Sequence, residues 1–157
     1  MKNMLMIDHH KCVGCKNCEM VCSLVHEGIC ASSLSRIRVA KDERAGWNVP
    51  ISCVMCEKPL CVTVCPVGAA SRNPVTGLVT FDEQKCIGCR QCIQVCPFSH
   101  ANFNQALGVA FKCEQCEGEP QCVKYCPSGA ITFEPLEIAL HQRRQETAQK
   151  IAADTLI

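Results

Sequence analysis

The sequence predicts an α+β fold of two small modules, one nested within the other, with short strands, one-turn helices and a C-terminal helix. Three observations lead to this expectation. The chain of 157 residues contains 17 cysteines, nearly all of them fall into four compact groups, and the groups are alike in pairs. Aromatic residues make up only 4% of the chain. Something other than aromatic packing must therefore fill much of the interior.

The four cysteine groups share one design. In each group the third and fourth cysteines are four residues apart, about one helical turn, and in three groups a proline follows the last cysteine. Proline disfavours a longer helix, so each group predicts a loop and a short helix. Gly14 and Gly88 permit the tight turns inside two of the loops. The groups are Cys12, Cys15, Cys18, Cys22; Cys53, Cys56, Cys61, Cys65; Cys86, Cys89, Cys92, Cys96; and Cys113, Cys116, Cys122, Cys126.

The groups form an internal repeat. Groups one and three are alike (KCVGCKNC and KCIGCRQC), and so are groups two and four. Between groups two and three, the turn signal NPVTG separates two predicted strands. One further strand is predicted before group one and one after group four, each without a neighbour in sequence. Pairing these end strands would complete a second unit like the inner one and cover both exposed edges.

The repeat predicts four parts. They are an outer module from 1–26 and 100–134, a connecting hairpin in 27–49, an inner module in 50–99 and a docking helix in 135–157. The hairpin is predicted from RIRV and WNVPI and is expected to lie over the inner module. The tail opens with a proline followed by helix formers. It would dock another subunit through Leu136, Leu140 and Ile151, or it is a frayed end.

The cysteine spacing is similar to that of bacterial ferredoxins, which hold four-iron, four-sulfur cubes. In that family three cysteines of a run bind one cube and the fourth reaches the neighbouring cube. The resemblance implies four [4Fe-4S] clusters. Their ligand sets would be Cys12, Cys15, Cys18 and Cys126; Cys113, Cys116, Cys122 and Cys22; Cys53, Cys56, Cys61 and Cys96; and Cys86, Cys89, Cys92 and Cys65. The alternative, pairing group one with two and three with four, leaves both end strands unexplained.

Zinc and disulfides explain the cysteines less well. Structural zinc usually takes two separated pairs, whereas each group here already holds four cysteines. A disulfide scaffold would need secretion, but MKNMLMIDHHKC has no apolar core of a signal peptide. No apolar run is long enough to span a membrane. We therefore expect a soluble cytoplasmic protein without membrane insertion.

Other functional classes find little support in the sequence. There is no HExxH motif and no glycine-rich phosphate loop, so we expect no catalytic residues. The formal charge of +1 and the few aromatics argue against nucleic acid. Cys30, outside the groups, is expected to be a small buried or loop thiol, and the five histidines to be surface residues or neighbours of ligands. Six basic residues within two positions of a cysteine could raise a cluster's potential or simply be solvated: Lys11, Lys16, Lys85, Arg90, Lys112 and Lys124.

Residues 5 to about 134 resemble the four-cluster ferredoxin-like subunits of molybdenum or tungsten oxidoreductases, including dimethyl sulfoxide reductase and formate dehydrogenase complexes. The motifs CVMCEKPLCVTVCPVGA and KCIGCRQCIQVCPF carry this resemblance. It implies electron transfer between a catalytic subunit and an acceptor subunit. The short length is more similar to the small iron-sulfur subunit of tungsten aldehyde oxidoreductases. Alternatives are a freestanding polyferredoxin, metal storage, and head-to-tail copies forming a filament.

Overall fold

The computed structural model describes residues 3–138, 140, 141, 144, 145 and 148. Within that part, short strands pair into four two-stranded antiparallel sheets, β1 with β8, β2 with β3, β4 with β5 and β6 with β7. The strands are β1 (Asn3–Ile7), β2 (Arg38–Asp42), β3 (Trp47–Ile51), β4 (Ala70–Arg72), β5 (Val79–Phe81), β6 (Asn102–Asn104), β7 (Val109–Phe111) and β8 (Ile131–Pro135). The helices are α1 (Asn17–Glu27), α2 (Leu60–Thr63), α3 (Gln91–Val95) and α4 (Gln121–Lys124). The small α+β class expected from the sequence is confirmed.

The two ends of the chain meet in one sheet. Strand β1 runs antiparallel to β8, with Asn3 opposite Pro135 and Ile7 opposite Ile131. The ladder continues for one more bond, because the Asp8 N–H donates to the Ala130 carbonyl at 2.9 Å. The pairing predicted for the two unpartnered end strands is therefore present.

The predicted hairpin between groups two and three is also present as β4 and β5. Its turn is held by Asn73, whose side-chain oxygen accepts the N–H of Val75 at 2.8 Å and of Thr76 at 3.0 Å. Asparagine favours such a turn because its short side chain bonds the backbone just ahead of it.

The length of each helix depends on whether a proline follows the last cysteine of its group. Helices α2, α3 and α4 have 4, 5 and 4 residues, and each is followed within a few residues by a Cys-Pro pair. Helix α1 has 11 residues, so the expectation of a one-turn helix is wrong for group one. Ser23 follows Cys22 in place of a proline, and α1 continues until Gly28, whose φ of 74° ends it.

The β2–β3 hairpin lies against α1. Glu19 of α1 accepts the Val39 N–H at 2.6 Å, and the Asn48 side chain donates to the Cys12 carbonyl at 3.4 Å. The expectation that this hairpin covers the inner module is wrong, because Ile37 and Val39 are buried in a cluster with residues from both chain ends. The strand also starts at Arg38, two residues later than the RIRV pattern indicates.

A third hairpin, β6 with β7, was not predicted. Asn104 shapes its turn by accepting the N–H groups of Ala106 and Leu107 at 3.0 and 3.2 Å. Asn104 and Gly108 are the turn signals that the sequence offers here.

Cysteine supplies much of the apolar interior. One buried cluster joins the two chain ends, α1, α4 and β2, and half of its members are thiols. They are Leu5, Cys18, Cys22, Ile37, Val39, Cys113, Cys122 and Ile131. This agrees with the low aromatic content.

The described residues from 136 to 148 are helical. Leu136 and Leu140 belong to that stretch, whereas Ile151 lies outside the described residues. In the part of the chain that is described, no helix combines the length and the apolar character needed to cross a membrane. The docking role of the tail stays a prediction.

Replacing Ile131 with alanine tests the junction of the two chain ends. Ile131 is only 2% exposed, so the variant should lose about 2–5 kcal/mol of unfolding free energy through lost burial and a cavity. Urea unfolding of the protein, purified and kept under anaerobic conditions, would measure this. Val75→Ala is the control, because Val75 is 90% exposed. Equal losses in both variants would contradict the buried junction.

Candidate metal centres

The first thiol site is a cavity of about 90 Å³. Its wall contains Cys53, Cys56, Cys61 and Cys96, with apolar side chains completing most of the lining. Cys61 lies on α2 and Cys96 follows α3, and the packing of α2 against α3 brings them together. The structure therefore unites three cysteines of group two with the last cysteine of group three.

The second site is the reciprocal arrangement. Its lining includes Cys65 from group two and Cys86, Cys89 and Cys92 from group three. Cys89 is exposed to solvent, so this site opens towards the surface. Burial raises the pKa of Cys92 to about 11, and the Cys86 thiolate adds to the increase.

The third site joins group four to α1. Burial raises the pKa of the Cys122 thiol, and the Cys113, Cys22 and Cys116 thiolates raise it further. Cys18 acts on the Cys122 thiol in the same direction, and Cys18, Cys22, Cys113 and Cys122 are buried in one cluster. Helix α1 packs against α4, which explains why Cys22 lies beside the three cysteines of a group about ninety positions later.

The fourth site lies where the chain ends meet. Burial raises the pKa of Cys18 to about 12, with contributions from Cys15 and Cys12 nearby. Cys126 packs against the same buried cluster as Cys12. The Asp8 to Ala130 hydrogen bond fixes the two loops, since Cys12 lies four positions after Asp8 and Cys126 four before Ala130.

The first loop of every group has the same backbone shape. The residue before the second cysteine is left-handed in all four, at Gly14 (φ 69°), Met55 (φ 49°), Gly88 (φ 70°) and Gln115 (φ 65°). Non-glycine residues rarely adopt this conformation, so its repetition indicates a shared geometric demand on the loop. The tight turns expected at the two glycines are confirmed.

Backbone N–H groups are directed at the fourth cysteine of each group. The sulfur of Cys22 accepts from Arg36 at 3.3 Å, that of Cys65 from Ala70 at 3.5 Å and that of Cys96 from His100 at 3.4 Å. Burial would raise the pKa of Cys126, but hydrogen bonds from Ser128 and from the N–H groups of Ile131 and Ala130 bring it below its usual value. Such donors stabilise thiolates and lower the negative charge on bound sulfur.

A charged network that the sequence did not reveal surrounds the third site. Arg36 pairs with Glu114 in a short contact and with Glu27 at 3.8 Å. His26 lies 3.2 Å from Glu114 and 3.5 Å from the Cys116 sulfur. Burial lowers the pKa of His26, while Glu114 acts in the opposite direction. His26, Glu114 and Cys116 could together hold one metal ion, but that ion would compete with the thiol site for Cys116.

The six basic residues near the cysteines differ in burial. Lys11, Lys85 and Lys124 are exposed and pair with Asp8, Asp82 and Glu119. The Arg90 guanidinium lies 3.9 Å above the Phe103 ring. Lys112 is buried, at 4% exposure, and is one of the residues that line the first thiol site.

The donor chemistry of these sites fits a [4Fe-4S] cluster. Thiols gather at closely spaced positions on tight loops, a last cysteine joins from another group, and N–H donors face the sulfur atoms. Thiolate ligation with hydrogen bonds to sulfur is how proteins hold and tune such clusters. Cys30 is exposed and is not part of the two cavities described above.

Two family models match the chain. Residues 45–136 match the 4Fe-4S dicluster domain, and residues 9–24 match a 4Fe-4S binding domain. Together the two matches include all four cysteine groups and leave out Cys30, which lies between them.

Curated relatives include subunits of several oxidoreductases. The chain is 46% identical over 93 residues to the polyferredoxin-like subunit of aliphatic sulfonate oxidoreductase from Pyrococcus furiosus, covering 59% of this chain and 53% of that relative. It is 34% identical over 115 residues to the electron transfer subunit PhsB of thiosulfate reductase from Salmonella typhi, covering 69% of this chain and 59% of the relative. A subunit of anaerobic dimethyl sulfoxide reductase from Escherichia coli is 35% identical over 120 residues, covering 69% of this chain and 58% of the relative. Each match thus spans little more than half of the relative.

A solved structure has a similar fold. It is the active site complex BamBC of benzoyl coenzyme A reductase with benzoyl-CoA, matched over 98% of this chain and 96% of that chain. The TM-score is 0.51 and the sequence identity is 24%. This likeness concerns the fold alone.

Replacing Gly88 with alanine should disrupt the loop of group three. A Cβ at this position would lie 2.5 Å from the Gly108 carbonyl oxygen, and the left-handed backbone would also be strained. We expect a loss of about 1–2 kcal/mol from strain and about 1–3 kcal/mol more from the clash. Anaerobic thermal unfolding and iron content would measure this.

The matched control is Gly46→Ala. Gly46 has a φ of 72°, but no atom lies within 4 Å of the position that a Cβ would take, so this variant carries the strain without the clash. If both variants lose the same stability, the contact between the two loops is unimportant.

Proposed function

The chain belongs to the 4Fe-4S dicluster domain family, and from this premise we propose that it is an electron-transfer subunit with four [4Fe-4S] clusters. A bound [4Fe-4S] cluster supplies one-electron storage and release. The observation that carries the proposal is the convergence of cysteines from two different groups at one site, as at Cys53, Cys56, Cys61 and Cys96. The chain itself would turn over no substrate, and its residues would hold and tune the clusters.

The ligand sets proposed are those in which the fourth cysteine crosses to the other group. Two sites support this directly, since Cys96 and Cys65 each line a cavity with three cysteines of a different group. For Cys22, the support is its burial in one cluster with Cys113 and Cys122. For Cys126, the support is the junction of β1 with β8. Four sites would hold about sixteen iron atoms.

We further propose that the chain forms two nested modules. In the inner one, the order along the chain is α2, β4, β5 and α3, with the strands paired and the helices in contact. In the outer one, α4 and β8 from the end of the chain meet β1 and α1 from its beginning in the same way. The outer module would comprise 1–26 and 100–134, and the inner one 50–99.

The exposure of the sites fits a path from surface to surface. Cys15 and Cys89, the second cysteines of groups one and three, are exposed, whereas Cys113 and Cys122 are buried. Val13 and Ile87, beside the exposed thiols, are 65% and 63% exposed. Electrons could therefore enter near one exposed site and leave near the other, passing the first and third sites between them.

The proposed partner is a large catalytic subunit. The names of the three curated relatives, subunits of sulfonate oxidoreductase, thiosulfate reductase and dimethyl sulfoxide reductase, support a place in an oxidoreductase complex. Within that class we propose a molybdenum or tungsten enzyme, with aldehyde oxidation as one candidate reaction, and a separate electron acceptor. A freestanding polyferredoxin, or copies that dock to one another, is the alternative, favoured by the polyferredoxin-like name of the first relative.

The ligand sets can be tested by counting iron in multiple variants. In a Cys53→Ala, Cys56→Ala background one cube should be lost, leaving about twelve iron atoms. Adding Cys96→Ala should change nothing further, because Cys96 belongs to the cube already lost. Adding Cys65→Ala should lower the iron content again, because Cys65 belongs to another cube.

These two additions are controls for each other. If each run of four cysteines held its own cube, the outcome would be reversed, with Cys65→Ala silent and Cys96→Ala harmful. Iron and sulfide analysis of anaerobically purified protein, with electron paramagnetic resonance of the reduced state, would decide. A finding of zinc in place of iron would contradict both arrangements.

Gentle anaerobic purification from the native cell tests the partner. We expect a stable complex with a large catalytic chain at a fixed stoichiometry, detected by size-exclusion chromatography and mass spectrometry. A cluster-loaded monomer that reduces several enzymes equally well would favour the freestanding polyferredoxin. Large particles formed by the purified chain alone in light scattering would favour self-association.

A further inference from the structure

Lys112 is a buried cation at the boundary between two thiol sites. It directly precedes Cys113 of the third site, yet its side chain turns towards the first site and lines that cavity with Cys53, Cys56, Cys61 and Cys96. Only 4% of the residue is exposed. A lysine is seldom buried to this extent unless something compensates its charge.

Neutral groups hold the ammonium in place. Its Nζ donates to the Val79 carbonyl at 2.5 Å and to the Cys113 carbonyl at 2.7 Å. It also lies 3.7 Å from the Met55 sulfur and 5.9 Å from the centre of the Phe81 ring. These contacts fix its position and give its three protons two carbonyl oxygens and one thioether sulfur as acceptors, but none supplies a full negative charge.

No carboxylate compensates Lys112 within the described part of the chain. The salt bridges found there involve Lys11, Lys41, Lys85, Lys124, Arg36 and His26. A buried charge left unpaired is costly. Lys112 lines the first site together with the four thiols there, and a cluster bound by them would supply the compensating negative charge.

The third site lacks the equivalent cation. Because groups two and four are alike, the residue that corresponds to Lys112 is the one before Cys53, which is Ser52. Ser52 is also buried, at 5% exposure, but its side chain is neutral. The repeat therefore places a charge at one of these two sites and a hydroxyl at the other.

We propose that Lys112 is the buried counter-ion of the cluster held by Cys53, Cys56, Cys61 and Cys96 and that it raises the reduction potential of that cluster. Adding an electron makes a thiolate-bound cluster more negative, and a fixed ammonium nearby favours the reduced state. In a low-dielectric interior this attraction is screened little by water or salt. Lys112 thereby favours transfer of an electron from a neighbouring reduced cluster to the cluster at this site. The neighbouring cluster is oxidised in the transfer and the cluster at this site is reduced.

This inference rests on the proposed function, and its test uses the full chain loaded with clusters. Lys112→Gln removes the charge but keeps an N–H donor for the two carbonyls, and Lys112→Arg keeps the charge. Lys124→Gln is the matched control, because Lys124 is also within two residues of cysteines but is exposed and paired with Glu119 at 2.9 Å. Potentiometric titration with dithionite, followed by electron paramagnetic resonance, gives the potentials.

We expect Lys112→Gln to lower one reduction step by at least a tenfold change in its equilibrium constant, about 59 mV for one electron. Lys112→Arg and Lys124→Gln should shift that step much less. In the Cys53→Ala, Cys56→Ala background, Lys112→Gln should move no remaining step by a comparable amount. That result would assign the effect to the first site.

Three results would overturn the inference. One is that Lys112→Gln changes no step beyond twofold, and another is that Lys124→Gln shifts the same step equally. The third is that the neutral variant loses one cluster's iron while Lys112→Arg keeps it, which would give Lys112 a role in assembly rather than in potential. If the unaltered protein contains no reducible iron, the proposed function itself fails, and that outcome is distinct from these three.

Discussion

The meeting of thiols from distant parts of the chain is the constraint on which the rest of this structure depends. At the third site Cys22, from near the beginning of the chain, is buried in one cluster with Cys113 and Cys122. Each such meeting fixes a helix pair, because α1 must contact α4 and α2 must contact α3. Paired end strands follow from the same constraint. A bound metal cluster would supply the free energy that this small, aromatic-poor interior lacks, since metal binding in such proteins stabilises the fold directly.

The cysteine spacing predicted the parts of the fold that the thiols control. Pairing of the end strands and the hairpin around Asn73 followed from the repeat, and the short helices followed from the Cys-Pro pairs. The predicted helix length was wrong for group one, where the repeat lacks its proline, and the sequence already shows this difference. Ser23 stands where the other groups have proline, and α1 accordingly continues to Glu27. The β6–β7 hairpin was missed because its turn residues, Asn104 and Gly108, lie outside the repeated segments.

The surroundings of the sites could not be predicted, because they depend on contacts between residues far apart in sequence. Arg36 approaches Glu114 only because the β2–β3 hairpin lies against α1. From the sequence, all six basic residues near cysteines had the same expected role, because each lies within two positions of a cysteine. Folding separates them, since Lys11, Lys85 and Lys124 remain exposed with carboxylate partners, and Lys112 becomes buried. A basic residue next to a cysteine in sequence therefore does not show how much positive charge lies at the site of that cysteine.

Asymmetry between repeated units is what gives an electron path a direction. Two identical units would have equal potentials at equivalent sites, and an electron would have no preference between them. Here the third site is surrounded by the Arg36, Glu114 and Glu27 network, in which carboxylates balance the guanidinium. The first site instead faces the buried ammonium of Lys112, held among carbonyls and apolar groups, while the other lysine of its lining, Lys58, is exposed. The backbone design is shared by both sites, so the difference in charge comes from a few side chains that the repeat leaves free to vary.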